Sequence, residues 1–347
     1  MVERSKPTQG AVCILPRLSG LGGPASFRAR LVAGLAERGV QEVTSPKDPG
    51  CRAVLMIGGT RRIGDLLEAR RRGIRIIQRL NGMNWIHRKR YTGAFHFFRS
   101  EVNNFILSTI RRYLADRIVY QSNFARTWWQ TVYRQVGAPG SVIYNGIDLR
   151  QFRPDAPHQR PSDRYRVLLV EGHLGGGNEQ GLTNAAALVR ALNGRFDRPV
   201  ELQVVGDVPA PLRQSLDREN PGIINWAGTV KREAVAEIDR SAHVLFSADL
   251  NAACPNSVIE ALASGLPVVS YATGSLPELI EGSAGLVVPW GSNFWKLEPP
   301  DIPVLADAAQ RILLEQDTFR PAARARAEAV FGIERMVDRY LEVLLGP

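Results

Sequence analysis

The stretch 254–279 constrains the chain more than any other, because its pattern indicates a helix, a Gly-Leu-Pro turn and a β-branched strand in succession. It reads CPNSVIEALASGLPVVSYATGSLPEL. Asn256 or Ser257 is the expected N-cap of the helix, Gly265 is expected to end it, and Pro267 prevents its continuation. The apolar residues after the proline predict a buried parallel strand.

The N-terminus of this predicted helix is expected to bind an anion. The first N–H groups of a helix have no partner within it, and the helix dipole favours negative charge there. Glu260 lies one turn inside the same helix, where its carboxylate can accept hydrogen bonds from sugar hydroxyls. We then expect the rest of the chain to help bind a ligand at the N-terminus of this helix.

The composition is that of an ordinary globular protein with enough residues for two domains. The chain has 347 residues, of which 44% are hydrophobic and 22% are charged, and this length favours two hydrophobic cores. We expect neither a membrane-spanning segment nor a secretory signal. Cys13, Cys51 and Cys254 are widely separated, which favours a reducing cytoplasm over a disulfide framework or a zinc cluster.

Apolar strands and amphipathic helices alternate along the chain in two successive runs. Strands are predicted at 11–15, 53–57, 74–77, 115–122, 141–148, 166–170, 200–205, 223–226, 242–246, 268–270 and 286–288, and helices at 25–38, 63–72, 123–134, 182–192, 234–240, 256–264, 303–315 and 331–345. This alternation predicts an α/β protein with two doubly wound, Rossmann-like domains that face each other across a cleft.

Three segments are predicted from this pattern. Residues 1–155 form an N-terminal domain, residues 156–325 form a C-terminal domain, and residues 326–347 form a helix that packs back on the N-terminal domain. The polar, proline-bearing segment 153–162 has the composition of an interdomain linker.

The positive charge is concentrated in the N-terminal half. Residues 1–160 hold 27 Lys and Arg against 10 Asp and Glu, whereas the remainder holds 17 against 24. From 87 to 112, basic residues are interleaved with Tyr and Phe. Such a segment suits the surface of an anionic membrane, a nucleic acid, or a core helix with a charged outer face, and we expect the membrane rather than a nucleic acid.

Two strand ends in the N-terminal half carry residues that suit ligand contact. The glycine-rich turn SGLGGP, which includes Gly22 and Gly23, follows the first strand, although its spacing fits no dinucleotide or phosphate-loop fingerprint. Asn81 follows the strand at 74–77 and is a candidate ligand contact, although Asn-Gly is also a common turn.

Several motifs in this order resemble the retaining glycosyltransferases of family four, known as the group 1 glycosyl transferases, which share the GT-B fold. The strongest are PNSVIEALASGLPVVS at 255–270 and GSLPEL at 274–279. They are supported by GGP at 22–24, ADRIV at 115–119, VIYNGID at 142–148 and WAGTV at 226–230. The resemblance covers nearly the whole chain.

The resemblance implies a nucleotide-sugar donor that is held mainly by the C-terminal domain. It implies that Glu260 binds the ribose hydroxyls and that Asn81 lies near the sugar and the acceptor. These two are the candidate catalytic residues. It implies that the loop of Cys254, Pro255, Asn256 and Ser257 binds the diphosphate and the sugar. Thr229 and Val230 would contact the base, and Gly22 and Gly23 would also approach the phosphates.

Two departures from the family pattern concern the negative charge of the donor. The family pairs Glu260 with a second glutamate eight residues earlier, where this chain has Ala252. The family also has an Arg and a Lys after the first strand of the second domain, whereas the segment GHLGGGNEQG at 172–181 has neither. Losing these cations weakens the stabilisation of a leaving diphosphate. His173 and the N–H groups of Gly175 and Gly176 are the expected replacements.

The expected function is transfer of a sugar from a nucleoside diphosphate to a hydroxyl acceptor, glycan or lipid-linked, with anomeric retention. It requires no cofactor and no metal, and it fits the synthesis of cell-surface polysaccharide in the cytoplasm, at the inner face of the membrane. The alternatives are a sugar epimerase or phosphorylase on the same fold, and a non-catalytic homologue that binds a nucleotide or a polyanion.

Overall fold

The computed structural model describes residues 10–17, 22–175 and 179–346, which divide into two compact units. Unit 1 comprises Met1–His87, Gly93–Gly146 and Ile333–Pro347, and unit 2 comprises Arg88–Thr92 and Ile147–Gly332. The chain therefore passes briefly into unit 2 at 88–92, enters it again at Ile147, and returns to unit 1 at Ile333.

Unit 1 is built on a six-stranded sheet in which every neighbouring pair of strands is parallel. Its elements before the crossing into unit 2 are β1 (Gly10–Leu15), α1 (Gly23–Glu37), β2 (Val40–Val43), β3 (Cys51–Ile57), α2 (Ile63–Arg71), β4 (Arg75–Leu80), α3 (Ala94–Tyr113), β5 (Arg117–Tyr120), α4 (Asn123–Tyr133) and β6 (Gly140–Val142). The strand order is β2-β1-β3-β4-β5-β6.

Unit 2 repeats this architecture with a second parallel sheet of six strands. Its elements are β7 (Tyr165–His173), α5 (Glu179–Leu192), β8 (Val200–Asp207), α6 (Ala210–Glu219), β9 (Ile224–Gly228), α7 (Arg232–Ser241), β10 (Val244–Phe246), α8 (Asn256–Ala263), β11 (Val268–Tyr271), α9 (Leu276–Leu279), β12 (Gly285–Val288), α10 (Ile302–Leu314) and α11 (Gln316–Val330). The strand order is β12-β11-β10-β7-β8-β9.

The helix α12 (Ile333–Leu345) follows in the chain and belongs to unit 1. It packs against α1 so closely that a Cβ on Gly34 would lie 2.4 Å from Cγ2 of Val337. Arg38 at the end of α1 forms ion pairs with Glu334 and Asp338 of α12. Short 3-10 helices cover Ile86–Arg88, Gly282–Ala284 and Phe294–Lys296.

The sheets are covered on both faces, which is why their central strands are apolar without interruption. In β1, Val12 and Ile14 join a cluster that includes residues of α1 and α12, whereas Cys13 and Leu15 join a cluster on the opposite face with α2. In unit 2, β7 and α5 contribute to the largest cluster, together with α10. The predicted α/β class and the two doubly wound sheets are thereby confirmed.

The sequence pattern did not predict β2, α6, α9 and α11, and it left the helix α3 as one of three interpretations of residues 87–112. In β2 only Val40 is buried and in α6 only Leu216 is buried, so neither shows a clear apolar period. The helix α11 contains Pro321 within its second turn, and a proline there argues against a helix from sequence alone. Among the described residues, no helix has both the length and the apolar character needed to cross a bilayer.

Candidate functional site

The carboxyl ends of β7 and β10 form the topological switch point of unit 2. From β7 the chain continues to β8 and β9 on one side, and then returns to place β10 and β11 on the other side of β7. The loops that follow β7 and β10 therefore leave the sheet in opposite directions. In doubly wound sheets this divergence opens the crevice in which ligands bind.

The loop after β10 is held rigidly against the turn that follows β11. Ser275 N donates to the carbonyl of Ala252 at 2.9 Å. Gly274 has φ +59, and a Cβ on it would lie 2.6 Å from Ala252 N, so this contact requires a glycine. The buried Ala252 is thus held by backbone contacts to the turn.

Asn251 is the most unusual side chain in this loop. It has φ +60 and is only 4% exposed, yet neither its Oδ1 nor its Nδ2 hydrogen-bonds to any described residue. Ser247 at the end of β10 is also buried, and its Oγ has no partner in the described parts of the chain. Buried amides are nearly always satisfied, so a site that leaves both ends of one unpaired is suited to a polar ligand.

The N-cap of α8 lies at least one residue earlier than the sequence pattern predicted. Pro255 is its N-cap and provides no side-chain hydrogen bond, while Asn256 and Ser257 lie inside the first turn. The prediction that either of them caps the helix is therefore wrong. Gly265 ends the helix region with φ +68, as expected. The dipole and the first N–H groups of a helix favour an anion at its N-terminus, and the α8 N-cap Pro255 makes no side-chain hydrogen bond there.

Glu260 is half-buried on α8 and lies beside Asp239 of α7. Asp239 is buried, and burial together with the nearby charge of Glu260 raises its pKa well above the usual range. This shift favours a protonated Asp239. The carboxyl oxygens of Glu260 can accept hydrogen bonds from hydroxyl groups.

His173 at the end of β7 is exposed, and Asp207 at the end of β8 orients its ring. The Nδ1 of His173 lies 2.8 Å from Oδ2 of Asp207, and Leu174 N donates to the carbonyl of Asp207 at 2.9 Å. A Cβ on Gly175 would lie 2.8 Å from His173 Nε2, so the glycine allows the loop to fold against the ring. Gly176, the other predicted donor contact, lies outside the described residues.

Glu171 on β7 introduces a second carboxyl at the switch point, which the sequence reasoning missed. Burial raises its pKa to about 8, and the nearby charge of Asp249 adds to the shift. Asp249 follows β10, the parallel neighbour of β7. At neutral pH Glu171 is therefore mostly protonated, which lowers the negative charge of the crevice.

The predicted base contacts lie farther along the sheet. Thr229 is exposed and Val230 is half-buried, directly after β9. β9 is the edge strand, two positions from β7. The structure thus places His173, Gly175 and the loop 254–257 after two adjacent strands, and it places Thr229 and Val230 after the outermost strand on one side.

The predicted contacts of unit 1 lie after β1 and β4. Gly22 is the exposed N-cap of α1 with φ −67, and Gly23 is the first helical residue. A Cβ on Gly22 would meet nothing within 4 Å, so neither conformation nor packing requires a glycine there. The preceding residues 18–21 of the predicted turn lie outside the described residues.

Asn81 belongs to a polar network around the buried Arg79. Its Oδ1 accepts hydrogen bonds from Nη1 of Arg79 at 2.8 Å and from Nε2 of Gln121, and its carbonyl accepts from Nε1 of Trp129. Arg79 also donates to Oδ1 of Asn145 at 2.7 Å and stacks on the ring of Phe27. The Oδ1 of Asn81 is thus fully used by the protein, which leaves its Nδ2 as the end that can contact a ligand.

The two sheets and their crossovers define the class of the protein, a two-domain α/β protein with the GT-B fold. Residues 166–314 match the sequence profile of the family described as glycosyl transferases group 1. The matched segment comprises most of unit 2. A comparison with curated protein sequences finds no significant match.

Solved structures of similar fold cover nearly the whole chain. Sucrose-phosphate synthase from Thermosynechococcus elongatus has a TM-score of 0.73 at 18% identity, and the match covers 96% of this chain and 97% of that one. Anabaena HepE in complex with UDP-glucose has a TM-score of 0.70 at 15% identity, covering 96% and 99%. WaaG, a glycosyltransferase involved in lipopolysaccharide biosynthesis, has a TM-score of 0.70 at 13% identity, covering 97% and 100%.

Proposed function

We propose that the chain transfers a sugar from a nucleoside-diphosphate sugar to a hydroxyl acceptor, a glycan or a lipid-linked sugar, with retention of anomeric configuration. The observation that carries the proposal is the crevice between β7 and β10. It combines the N-terminus of α8, whose dipole favours an anion, with a buried amide at Asn251 that has no partner in the described residues. Both lie within the segment that matches the glycosyl transferase profile.

The donor is proposed to lie along the carboxyl edge of the unit 2 sheet. The N–H groups at the start of α8, with the loop 254–257, would bind the diphosphate and the sugar. Glu260 would accept hydrogen bonds from the ribose hydroxyls. Thr229 and Val230 would contact the base, and His173 and Gly175 would contact the phosphates. In unit 1, Gly22, Gly23 and the Nδ2 of Asn81 are the groups proposed for the donor and acceptor.

In the proposed reaction the acceptor oxygen bonds to the anomeric carbon on the face that the diphosphate leaves. The bond from that carbon to the diphosphate oxygen breaks, and the acceptor proton passes to the same oxygen, so a nucleoside diphosphate is released. No protein carboxylate serves as a nucleophile. Catalysis then rests on positioning and on stabilising the leaving diphosphate. We propose that neither a metal nor another cofactor takes part.

A panel of nucleotide sugars tests the donor, first by thermal shift and then by release of nucleoside diphosphate. UDP-glucose is the first donor to try because HepE binds it. A preferred donor is expected to raise the melting temperature by mass action and to be turned over in the presence of EDTA. Binding of a donor without any release would contradict the enzyme proposal, and inversion at the anomeric carbon, read by NMR, would contradict retention.

We also propose that unit 1 docks on an anionic membrane surface through α3, which places the enzyme at the inner face of the membrane. The aromatic face of α3 consists of Phe95, Phe98, Val102 and Phe105. These side chains are 81%, 67%, 49% and 68% exposed, and their spacing places them on one side of the helix. The opposite side is anchored, since Asn104 is buried and hydrogen-bonds both backbone polar groups of Asn84.

The charge near the aromatic face favours an anionic bilayer as its partner. Arg99 and Arg112 are exposed on α3 itself, and the N-terminal half of the chain carries a large excess of Lys and Arg. Basic side chains attract anionic lipid headgroups, while exposed aromatic rings insert at the interface. An ordinary core helix would instead have its aromatic residues buried, so the structure disfavours that interpretation of residues 87–112.

Co-sedimentation with lipid vesicles tests the docking surface. Wild-type protein is expected to bind vesicles that contain phosphatidylglycerol more tightly than pure phosphatidylcholine, and salt is expected to weaken the binding. Replacing Phe98 and Phe105 by Ser should abolish it, whereas Leu314→Ser, at an exposed leucine of α10, should not. Vesicle binding that survives the Phe98 and Phe105 changes would overturn the proposal, as would tight binding to a DNA oligonucleotide with no binding to vesicles.

A further inference from the structure

The crevice of unit 2 lacks cations of its own, although the proposed donor carries a diphosphate. The segments 171–181, 247–257 and 273–279 follow β7, β10 and β11, and none contains Lys or Arg. They contain four acidic residues instead, namely Glu171, Glu179, Asp249 and Glu278. Helix N–H groups alone contribute partial charges, so a departing diphosphate calls for a positive side chain from elsewhere in the fold.

Among the described contacts, two cations outside these segments reach them. Arg326 donates to the carbonyls of Glu278 and Leu279 and is paired with Glu281, whereas Arg90 reaches the segment after β7. Arg90 belongs to the segment Arg88–Thr92, which is part of unit 2 although its neighbours along the chain are not. Its Nη2 donates to Oε1 of Gln180 at 2.9 Å, in the first turn of α5. Its Nη1 lies 3.8 Å from Oε2 of Glu179, a distance longer than that of a charge-assisted hydrogen bond.

The side-chain amides of Gln180 and Asn184 fix the position of Arg90. Gln180 Nε2 donates to Oδ1 of Asn184 at 3.0 Å, and Asn184 is buried. The glutamine side chain is thereby oriented with its oxygen toward the arginine. Because Gln180 is neutral, it holds the guanidinium without cancelling its charge, and the side chain of Arg90 remains 35% exposed.

The first turn of α5 adjoins the loop that follows β10. A Cβ on Gly181 would lie 2.6 Å from the carbonyl oxygen of Ala248, so only a glycine permits this approach. Ala248 directly precedes Asp249 in the loop that leads to α8. The anchor of Arg90 thus lies beside the crevice between β7 and β10, where the N-terminus of α8 also lies.

We propose that Arg90 supplies the positive charge that binds the diphosphate of the donor in unit 2. The inference rests on the proposed glycosyltransferase function and names a donor-binding residue outside the loops that form the crevice. A guanidinium presents paired N–H groups that match two phosphate oxygens, and it keeps its charge at any physiological pH. Arg90 then contributes to donor affinity through the phosphates and not through the base.

Calorimetric titration of the full chain tests this assignment, with UDP, GDP and ADP as probes and the corresponding nucleosides as matched ligands. Arg90→Gln is expected to weaken the preferred diphosphate about tenfold or more and to leave nucleoside affinity unchanged. The salt dependence of diphosphate binding should also become shallower. Arg90→Lys should recover part of the affinity, since lysine keeps the charge without the paired donors. Lys89→Gln, at an exposed neighbouring cation, is the matched control and should bind as wild type.

The outcomes separate this inference from the proposed function. If wild-type protein binds a diphosphate and Arg90→Gln binds it within twofold, Arg90 is not the phosphate ligand and the proposed function stands. If the variant loses nucleoside and diphosphate affinity equally, or melts well below wild type, Arg90 is structural and the inference is overturned. If wild-type protein binds none of the three diphosphates, the proposed function itself fails, and the inference with it.

Discussion

The carboxyl edges of the two sheets treat their polar groups in opposite ways. In unit 1 the buried Arg79 is surrounded by protein partners, with Asn81 and Asn145 as acceptors and the ring of Phe27 beneath the guanidinium. In unit 2 the buried Asn251 makes no hydrogen bond to the described residues, and the N-cap Pro255 of α8 makes no side-chain hydrogen bond. The same strand topology thus supports one edge where the polar groups around Arg79 are mostly paired within the protein, and one edge where Asn251 has no partner among the described residues.

This difference separates stability from binding. A buried polar group that is paired within the protein stabilises the fold, and its loss leaves partners unsatisfied. A buried polar group without a partner costs free energy until a ligand supplies one. We therefore expect substitutions at the edge of unit 1 to change mainly the free energy of unfolding, and those at the edge of unit 2 to change mainly ligand affinity.

The largest effect on stability is expected at Arg79. Arg79→Met should lower the free energy of unfolding by about 2–4 kcal/mol, because Asn81 and Asn145 both lose a donor in a buried setting. Urea unfolding measures the change, and Arg61→Met, at an exposed arginine of the same unit, is the control. Equal stability of the two variants would contradict the structural role of the network.

A pair of glycines gives the next contrast. Gly274→Ala should destabilise by about 2 kcal/mol or more, since the residue combines a positive φ with a close backbone neighbour. Gly22→Ala should change the free energy of unfolding by less than about 0.5 kcal/mol, because its φ is ordinary and a Cβ there meets nothing. Thermal denaturation of both variants checks the pair, and a large loss at Gly22 would count against an open surface there.

Glu260→Gln is expected to act on binding rather than on stability. Hydrogen bonds to a charged acceptor contribute about 1.5–3 kcal/mol, so affinity for a nucleoside diphosphate should fall about 10–100-fold, with little change in melting temperature. Calorimetry measures the affinity, and Glu237→Gln, at an exposed glutamate of α7, is the control. Unaltered affinity of Glu260→Gln would remove this residue from the donor site.

The smallest effect is a dependence of donor affinity on pH through Glu171. Its pKa is about 8, so raising the pH from about 7 to about 9 ionises a carboxyl near the diphosphate and should weaken binding about three- to tenfold. The free energy of unfolding should also fall as the pH rises toward 8, because the folded state holds this proton more tightly than the unfolded chain. Glu171→Gln should remove most of both dependences, and a variant as pH-sensitive as wild type would contradict this assignment.

The fold class was predictable from sequence because it depends on period and order along the chain. Continuous apolar strands such as 53–57 and amphipathic helices such as 182–192 appear where the pattern placed them, as β3 and α5. Elements without an apolar period, such as α6, gave no signal. The N-cap of α8 was misplaced because Pro255, which has no capping side chain, occupies the position that Asn256 or Ser257 was expected to take.

The properties of the site were less accessible, because they depend on contacts between residues that are distant in sequence. The shifted pKa of Glu171 requires the loop after β10 to lie beside β7. The approach of Arg90 to Gln180 joins residues 90 positions apart. The one local signal in the sequence was the residue type at 251, an asparagine in a loop rich in small residues. Asparagine adopts the left-handed backbone conformation more readily than most residues.

The placement of α12 in unit 1 has a consequence for the order in which the protein acquires its structure during synthesis. Met336, Val337, Tyr340 and Leu344 complete the cluster that covers one face of the first sheet, yet a ribosome translates them only after all of unit 2. A nascent chain that ends before Ile333 therefore exposes Phe27 and Leu31 of α1, while unit 2 can already be complete. We expect the second unit to mature first, and the first unit to rely on chaperones until α12 emerges.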